Sequence, residues 1–228
     1  MKILFLNCAN RKNDYVKKYA KDYNIDMIIL AESKNIRNRI SCEFNNSFVS
    51  KYNYGISVFS NINMNVKDVD YIINDVELQN VIHNDNYKNR ILDIAINDYH
   101  ILAVHIDYGF YNPFAMNKID EYIRKNKIDM IVGDFNSGYL NDNLDYKRGG
   151  IIFQNGYLYF KKYEEIGYIN AKKDCGLYSF VSKRGNKKFR IDHCFSKNMN
   201  LNVEYIDEFL NLNVSDHKGI LIDFEIER

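Results

Sequence analysis

Ile131-Val132-Gly133-Asp134-Phe135-Asn136 is the stretch on which the reading of this chain turns. An apolar run ends in glycine and then sets a carboxylate and an amide two residues apart. At the period-two geometry of a strand, Asp134 and Asn136 leave toward the same side. The glycine permits a turn and close backbone approach. Alone, Gly-Asp-x-Asn is an ordinary turn, because Asp and Asn are turn formers.

The same arrangement recurs along the chain. Runs rich in Ile, Val and Phe predict strands over Lys2–Leu6, Met27–Ala31, Ile56–Ser60, Ile91–Ile96, His100–Ile106, Met130–Val132, Phe189–Phe195 and Gly219–Ile226. Helical spacing predicts Lys12–Tyr23, with Val16, Tyr19, Ala20 and Tyr23 on one face, and Pro113–Lys127, which opens on a proline suited to a first turn. A weaker helix is expected at Tyr157–Glu165, and Arg184-Gly185-Asn186 reads as a hairpin turn. Strands outnumber helices and helices fall between them, with no repeat and no linker. That suits a layered α/β domain with much antiparallel pairing, filling residues 1–228 as one unit.

Polar groups stand at the ends of these runs: Asn7 after Ile3–Leu6, Glu32 after Met27–Ala31, His105 closing the run from Ile101, and Asp216-His217 before the last strand. Asp192 interrupts Phe189–Phe195. Singly, each reads as a cap, a turn or a core histidine. Polar groups at several strand ends can also converge on one sheet edge.

In order, Leu6-Asn7, Ala31-Glu32, Val104-His105, Gly133-Asp134-Phe135-Asn136, Arg190-Ile191-Asp192 and Ser215-Asp216-His217 closely resemble the endonuclease/exonuclease/phosphatase (DNase-I-like) superfamily. Gly55 and Tyr178-Ser179-Phe180 are similar to weaker features of that group. The resemblance runs from Asn7 to the final strand. It implies a four-layered α/β sandwich, two mixed, mostly antiparallel sheets face to face with helices outside. It also implies a divalent-metal-dependent phosphodiester hydrolase. Under it, Asn7, Glu32 and Asp216 would serve the metal. Asp134 would activate the attacking water, with Asn136 fixing the water or the phosphate oxygens. His217, oriented by Asp192, would contact the scissile phosphate, and His105 would donate to the phosphate or the leaving oxygen. The general base remains open between Asp134 and a histidine. Val104-His105-Ile106 is more similar to the DNase, sphingomyelinase and tyrosyl-DNA-phosphodiesterase branches than to the apurinic endonucleases, yet no carboxylate partner for His105 is legible.

Four carboxylates in one cleft (Glu32, Asp134, Asp192, Asp216) need charge compensation. Oxygen donors without zinc-spaced Cys or His select Mg²⁺ or Mn²⁺. Substrate contacts are expected from Arg90, Tyr108, Tyr139, Ser179 and Arg190. The clusters Lys172-Lys173, Lys183-Arg184 and Lys187-Lys188 read equally as solvated hairpin or phosphate contacts. Tyr52, Tyr54, Phe110 and Tyr111 read equally as base-stacking platforms or packing. Nucleic acid is the leading substrate. A small-molecule or lipid phosphoester is the alternative, and a catalytically silent binding module ranks last.

Composition bounds the rest. Thirty-one Lys and Arg oppose 30 Asp and Glu in 228 residues, a net charge of +1, which excludes a uniformly basic surface but not a local patch. The 32 asparagines are scattered and accompany abundant Lys, Ile and Tyr, as A/T-rich codons would produce, so no single Asn carries meaning by itself. Four dispersed cysteines without a C-x-x-C pair suit reduced thiols in a cytoplasmic setting. No apolar run approaches a membrane span, no stable protein partner is implied, and a monomer is the default.

Overall fold

The computed structural model describes residues 1–11, 14–69, 88–107, 112–139, 156–172, 177–183 and 186–225. The elements run β1 (Lys2–Asn7), α1 (Tyr15–Asp22), β2 (Met27–Ala31), α2 (Arg37–Ile40), β3 (Asn46–Phe48), β4 (Ser57–Ser60), β5 (Asn65–Asp68), β6 (Ile91–Ile96) and β7 (Tyr99–His105). They continue with α3 (Asn112–Lys125), β8 (Met130–Asp134), α4 (Tyr157–Glu165), β9 (Ile169–Asn170), β10 (Phe180–Val181), β11 (Lys188–Phe189), β12 (Asp192–Ser196), β13 (Asn202–Ile206), α5 (Glu208–Asn211) and β14 (Gly219–Asp223).

Two six-stranded sheets result, in the orders β13-β14-β1-β2-β4-β3 and β5-β6-β7-β8-β12-β9. Each holds one parallel pair, β1 with β2 and β7 with β8, and antiparallel neighbours otherwise. The parallel pairs are joined through α1 and α3, as a parallel connection requires a crossover.

Alternation along the strands assigns each face. Ile3, Phe5, Met27 and Ile29 meet Leu92, Ile94, Ala103, Met130 and Val132 between the sheets. Leu4, Leu6, Ile28 and Leu30 turn outward onto Val16, Tyr19, Ile36, Ile40 and Phe209 from α1, α2 and α5 and the residues beside them. Leu102, Val104 and Ile131 turn outward onto Ala115, Met116, Ile119, Phe160 and Tyr163 from α3 and α4. Both faces of the central strands are therefore buried, which explains their near-continuous apolar runs. Helix, sheet, sheet, helix is the four-layered sandwich expected.

The expected Phe189–Phe195 strand is two strands. β11 pairs with β10 in a separate two-stranded ribbon, and β12 begins at Asp192 and joins the second sheet between β8 and β9. Arg190 and Ile191 connect them. The sequence reading also missed β3, β5, β9 and β13, all short or lying at sheet edges. The hairpin tip at Arg184-Gly185 lies outside the described residues; the flanking Phe180↔Phe189 pairing is antiparallel as expected.

Gly133 is fixed by packing. A Cβ there would stand 1.9 Å from the Val104 carbonyl oxygen of β7. Any side chain would push apart the pair that aligns His105 with Asp134. Among the described residues no helix is long and apolar enough to cross a membrane.

Candidate active site

The topology gathers the motif residues at one edge. Asn7 ends β1, Glu32 follows β2, His105 ends β7 and Asp134 ends β8, so all four sit at C-terminal ends of parallel strands. Asp192 opens β12, antiparallel to β8, and His217 precedes β14, antiparallel to β1, which returns both to the same edge. A cleft of about 460 Å³ lies there, lined among others by Asn7, Glu32, Tyr54, Arg90, His105, Asp107, Asp134, Asn136, Asp216 and His217. A hollow of about 560 Å³ at the opposite edge, around Asn198–Asn202, contains no histidine and none of the motifs.

Asp134 is the hub. Its Oδ1 accepts from the Asn136 backbone N–H at 2.8 Å and its Oδ2 from Asn7 Nδ2 at 3.0 Å. Asn7 also reaches Glu32 Oε1 at 3.5 Å, so its amide bridges the two carboxylates. The Asn7 Oδ1 accepts from the Ala9 N–H. Asn7 therefore aligns the two carboxylates with its NH₂ group. The expected metal role would fall to its Oδ1, which accepts one hydrogen bond and keeps a second lone pair. Asn136 Nδ2 donates to the Ile106 carbonyl at 2.8 Å, and the residue lines the cleft. Glu32 and Asn136 both adopt left-handed backbone, φ 47° and 46°. That conformation is unfavourable for residues with a Cβ and clusters at functional sites.

Asp134 and Asp192 oppose each other in the β8–β12 register. Asp192 Oδ2 lies 2.9 Å from His217 Nδ1. Burial disfavours a charged His217, yet the Asp192 carboxylate outweighs it and raises the imidazole to about 9. His217 is then an imidazolium at neutral pH. Ser179 Oγ accepts both the Ile191 and Asp192 N–H groups at 3.0 Å, and Ser215 Oγ accepts from the His217 N–H while donating to the Asn7 carbonyl.

His105 has found its carboxylate. Nε2 lies 3.4 Å from Glu32 Oε1, and Nδ1–H donates to the Tyr54 carbonyl at 2.7 Å. Burial opposes protonation, but the Glu32 contact raises His105 above its ordinary value. Burial likewise pushes Glu32 up, and His105 with His217 pulls it down to about 2. His105 thus holds Glu32 through Nε2, the same nitrogen that the expected donation to the phosphate or the leaving oxygen would draw on.

Two further cleft carboxylates, Asp107 and Asp216, also have cations. Arg90 Nη1 meets Asp107 at 2.7 Å, and Arg11 and Lys183 approach Asp216 at 3.7 and 3.6 Å. Asp134 alone among the cleft carboxylates forms no ion pair among the described residues. Burial and then the Asp192 charge raise it to about 6. The charge argument for a metal is accordingly weaker than four bare carboxylates implied, since the protein supplies most of the compensation.

The donor set still fits a hard cation. Asp192 Oδ1 is buried without a hydrogen-bond donor, and Asp134, Asp192 and His217 bring ligand atoms within 4.8 Å of one another. Protonated His217 is a poor ligand, so the carboxylates, with Glu32 opening to solvent at the rim, are the fitting donors.

Three expected substrate contacts lie elsewhere. Tyr139 is in the core under α4, donating to Glu164 Oε1 and accepting from Asn170. Arg190 is fully buried, donating to the Lys172 and Ala171 carbonyls and to Asn170 Oδ1. Ser179 is also fully buried and acts on backbone. Arg90 does line the cleft, and Tyr108 lies outside the described residues. The sequence reading missed Asn10, whose Nδ2 holds Glu32 Oε2 at 3.2 Å, Arg11, and Asp107. Asp107, two residues past His105 at the end of a strand, carried the only legible signal.

A two-sheet α/β sandwich with an acid–base cleft along one edge is the class that this geometry defines. Within it, the chain belongs to the Endonuclease/Exonuclease/phosphatase family, whose pattern matches residues 4–217. That family name covers phosphoester hydrolases and nucleases. No curated protein matches the sequence significantly. Among solved structures, the chain is similar to an AP endonuclease from Archaeoglobus fulgidus (TM-score 0.73, 16% identity, covering 99% of this chain and 100% of that one). It is also similar to the 3′ phosphatase NExo from Neisseria bound to a product DNA hairpin (TM-score 0.76, 15% identity, 99% and 100%). A third likeness is the endonuclease domain of TRAS1, a telomere-specific non-LTR retrotransposon (TM-score 0.65, 13% identity, 100% and 99%). At these identities the likeness speaks for the fold.

Proposed function

We propose that this protein is a divalent-metal-dependent phosphodiester hydrolase, a nuclease acting on DNA or RNA. The observation that carries the reading is Asp134: a buried carboxylate without an ion pair among the described residues, raised to about 6, held by Asn7 and Asn136 and facing the Asp192–His217 pair. A base of that strength is ionised at neutral pH and still basic enough to take a proton from water. Asn136 Oδ1, with one amide N–H committed to Ile106, accepts from that water. His217, held by Asp192, offers an imidazolium to a phosphoryl oxygen as charge grows there. Water attacks phosphorus, its proton passes to Asp134, and the P–O bond to the leaving group breaks, the departing alkoxide taking its proton from solvent.

Glu32 and Asp216, with Asp134 and Asp192 adjoining, would hold Mg²⁺ or Mn²⁺. A bound ion of that kind neutralises phosphate charge and polarises a non-bridging oxygen. His105 and Asn10 orient Glu32 for that role.

The test is a substrate panel (single-stranded DNA, duplex DNA, RNA, sphingomyelin, inositol phosphates and nucleotides) with Mg²⁺ or Mn²⁺ and an EDTA control. Metal-dependent cleavage of nucleic acid is expected. Turnover of only small or lipid phosphoesters, or full activity in EDTA, would overturn the reading.

A further inference from the structure

Arg90 and Tyr54 are left over from the chemistry just described, and they are not isolated. The segment Lys51-Tyr52-Asn53-Tyr54-Gly55 leads into β4, and Lys88-Asn89-Arg90 leads into β6. The two lie side by side on one lip of the cleft. The Arg90 guanidinium lies over the Tyr54 ring at 5.1 Å, and the ammonium groups of Lys51 and Lys88 lie 5.6 and 5.7 Å from the Tyr52 ring. The Tyr54 ring is 40% exposed and lines the cleft, 6.4 Å from the His105 ring.

The lip is built rigidly. The Ile56 N–H donates to the Asn89 carbonyl at 2.7 Å, and Ser50 Oγ donates to Asn89 Oδ1 at 3.0 Å. Asp68 accepts both Asn89 donors. A Cβ on Gly55 would fall 2.0 Å from Ser50 Oγ, so only glycine lets the segment close down there. The Tyr54 carbonyl is held by His105 and its ring is backed by a buried arginine, which Asp107 fixes from the far side. An aromatic ring fixed in this way costs little ordering entropy when something stacks on its open face.

We infer that this lip is a binding platform for unpaired nucleotides: a base stacks on Tyr54, which Arg90 backs, and Lys51 and Lys88 follow the phosphates leading to the cleft. Cations interleaved with aromatic rings match the alternating charge and π-face of a single strand. A duplex keeps its base faces stacked inside and has nothing to offer Tyr54. The inference rests on the nuclease reading and adds the strandedness of the substrate.

Its test reads binding rather than turnover. Asp134→Ala protein with Mg²⁺ is titrated by fluorescence anisotropy against labelled single strands, the matching duplex, and a strand with a base-free backbone. Single strands are expected to bind more tightly than duplex. Adding Tyr54→Ala should weaken single-strand binding roughly five-fold or more, with duplex and base-free binding unchanged, while Tyr54→Phe retains affinity. An unchanged single-strand affinity in Tyr54→Ala, an equal loss on duplex, or no single-strand binding at all would overturn the platform. Failure of the nuclease reading looks different: wild-type protein then hydrolyses no nucleic acid, whatever the anisotropy shows.

Discussion

Asp134 and Asp192 stand directly opposite each other across the β8–β12 ladder, and only Asp192 has a cation of its own. That asymmetry divides two identical side chains into two chemical roles. Asp192 faces His217, and Asp134, next to the Asp192 charge and with no ion pair among the described residues, is raised to about 6.

A first consequence concerns stability without metal. The Asp134 carboxyl is raised from its ordinary value to about 6, so its ionisation works against folding. A raised carboxyl favours the folded state only while protonated, and that benefit is lost as pH rises from about 4 through 6. In EDTA, the melting temperature of Asp134→Asn relative to wild type should therefore increase between pH 4 and pH 7. A difference that stays flat or shrinks over that window would contradict the assignment.

The His217–Asp192 pair predicts a window on the other side of neutrality. His217 is raised to about 9, so its contribution is complete below its ordinary value of 6.5 and is lost as pH rises through 9. The full effect is on the order of 3 kcal/mol. In metal-free protein, wild type should outlast His217→Gln clearly at pH 6 in denaturant titrations, and the gap should close by pH 10.

His105 offers a way to tell ligand orientation from acid catalysis. If it acts by holding Glu32, His105→Gln slows cleavage equally for a nucleotide ester and for a p-nitrophenyl ester, whose leaving group needs no proton. Recovery of the p-nitrophenyl rate alone would mean that His105 protonates the leaving oxygen after all.

Arg190 and Tyr139 separate structural from substrate roles. Tyr139→Phe removes a hydroxyl that donates to Glu164 and accepts from Asn170, and should cost about 1–2 kcal/mol with KM unchanged. Arg190→Ala leaves the Lys172 and Ala171 carbonyls without their donor. It should cost about 3 kcal/mol or more of folding stability, measured by denaturant unfolding. A KM increase without loss of stability would return Arg190 to the substrate.

These two residues also show where the sequence stopped being informative. The ends of the central strands were legible because both faces of those strands are buried, so a single polar residue at the end of an apolar run stands out; Asn7, Glu32, His105 and Asp134 were found that way. Arg190 was misplaced because it stands in a basic cluster with Lys187 and Lys188 and was read with it. The chain in fact leaves one ribbon at Phe189 and enters another sheet at Asp192, and Arg190 between them turns inward onto the Lys172 and Ala171 carbonyls. Tyr139 follows the Asp134-to-Asn136 turn by three residues, and nothing local says that the chain dips back under α4 there. The edge strands β3, β5 and β13 lack the apolar density of buried ones, and partners such as Asn10 for Glu32 arise from folding alone.

The most direct test of the central claim is the steady-state rate of Asp134→Ala on a cleaved oligonucleotide at saturating Mg²⁺, with folding checked by circular dichroism. A folded protein at least about 10³-fold slower, roughly 4 kcal/mol of barrier, is the result predicted. A folded variant within about ten-fold of wild type would contradict Asp134 as the base and the account built on it.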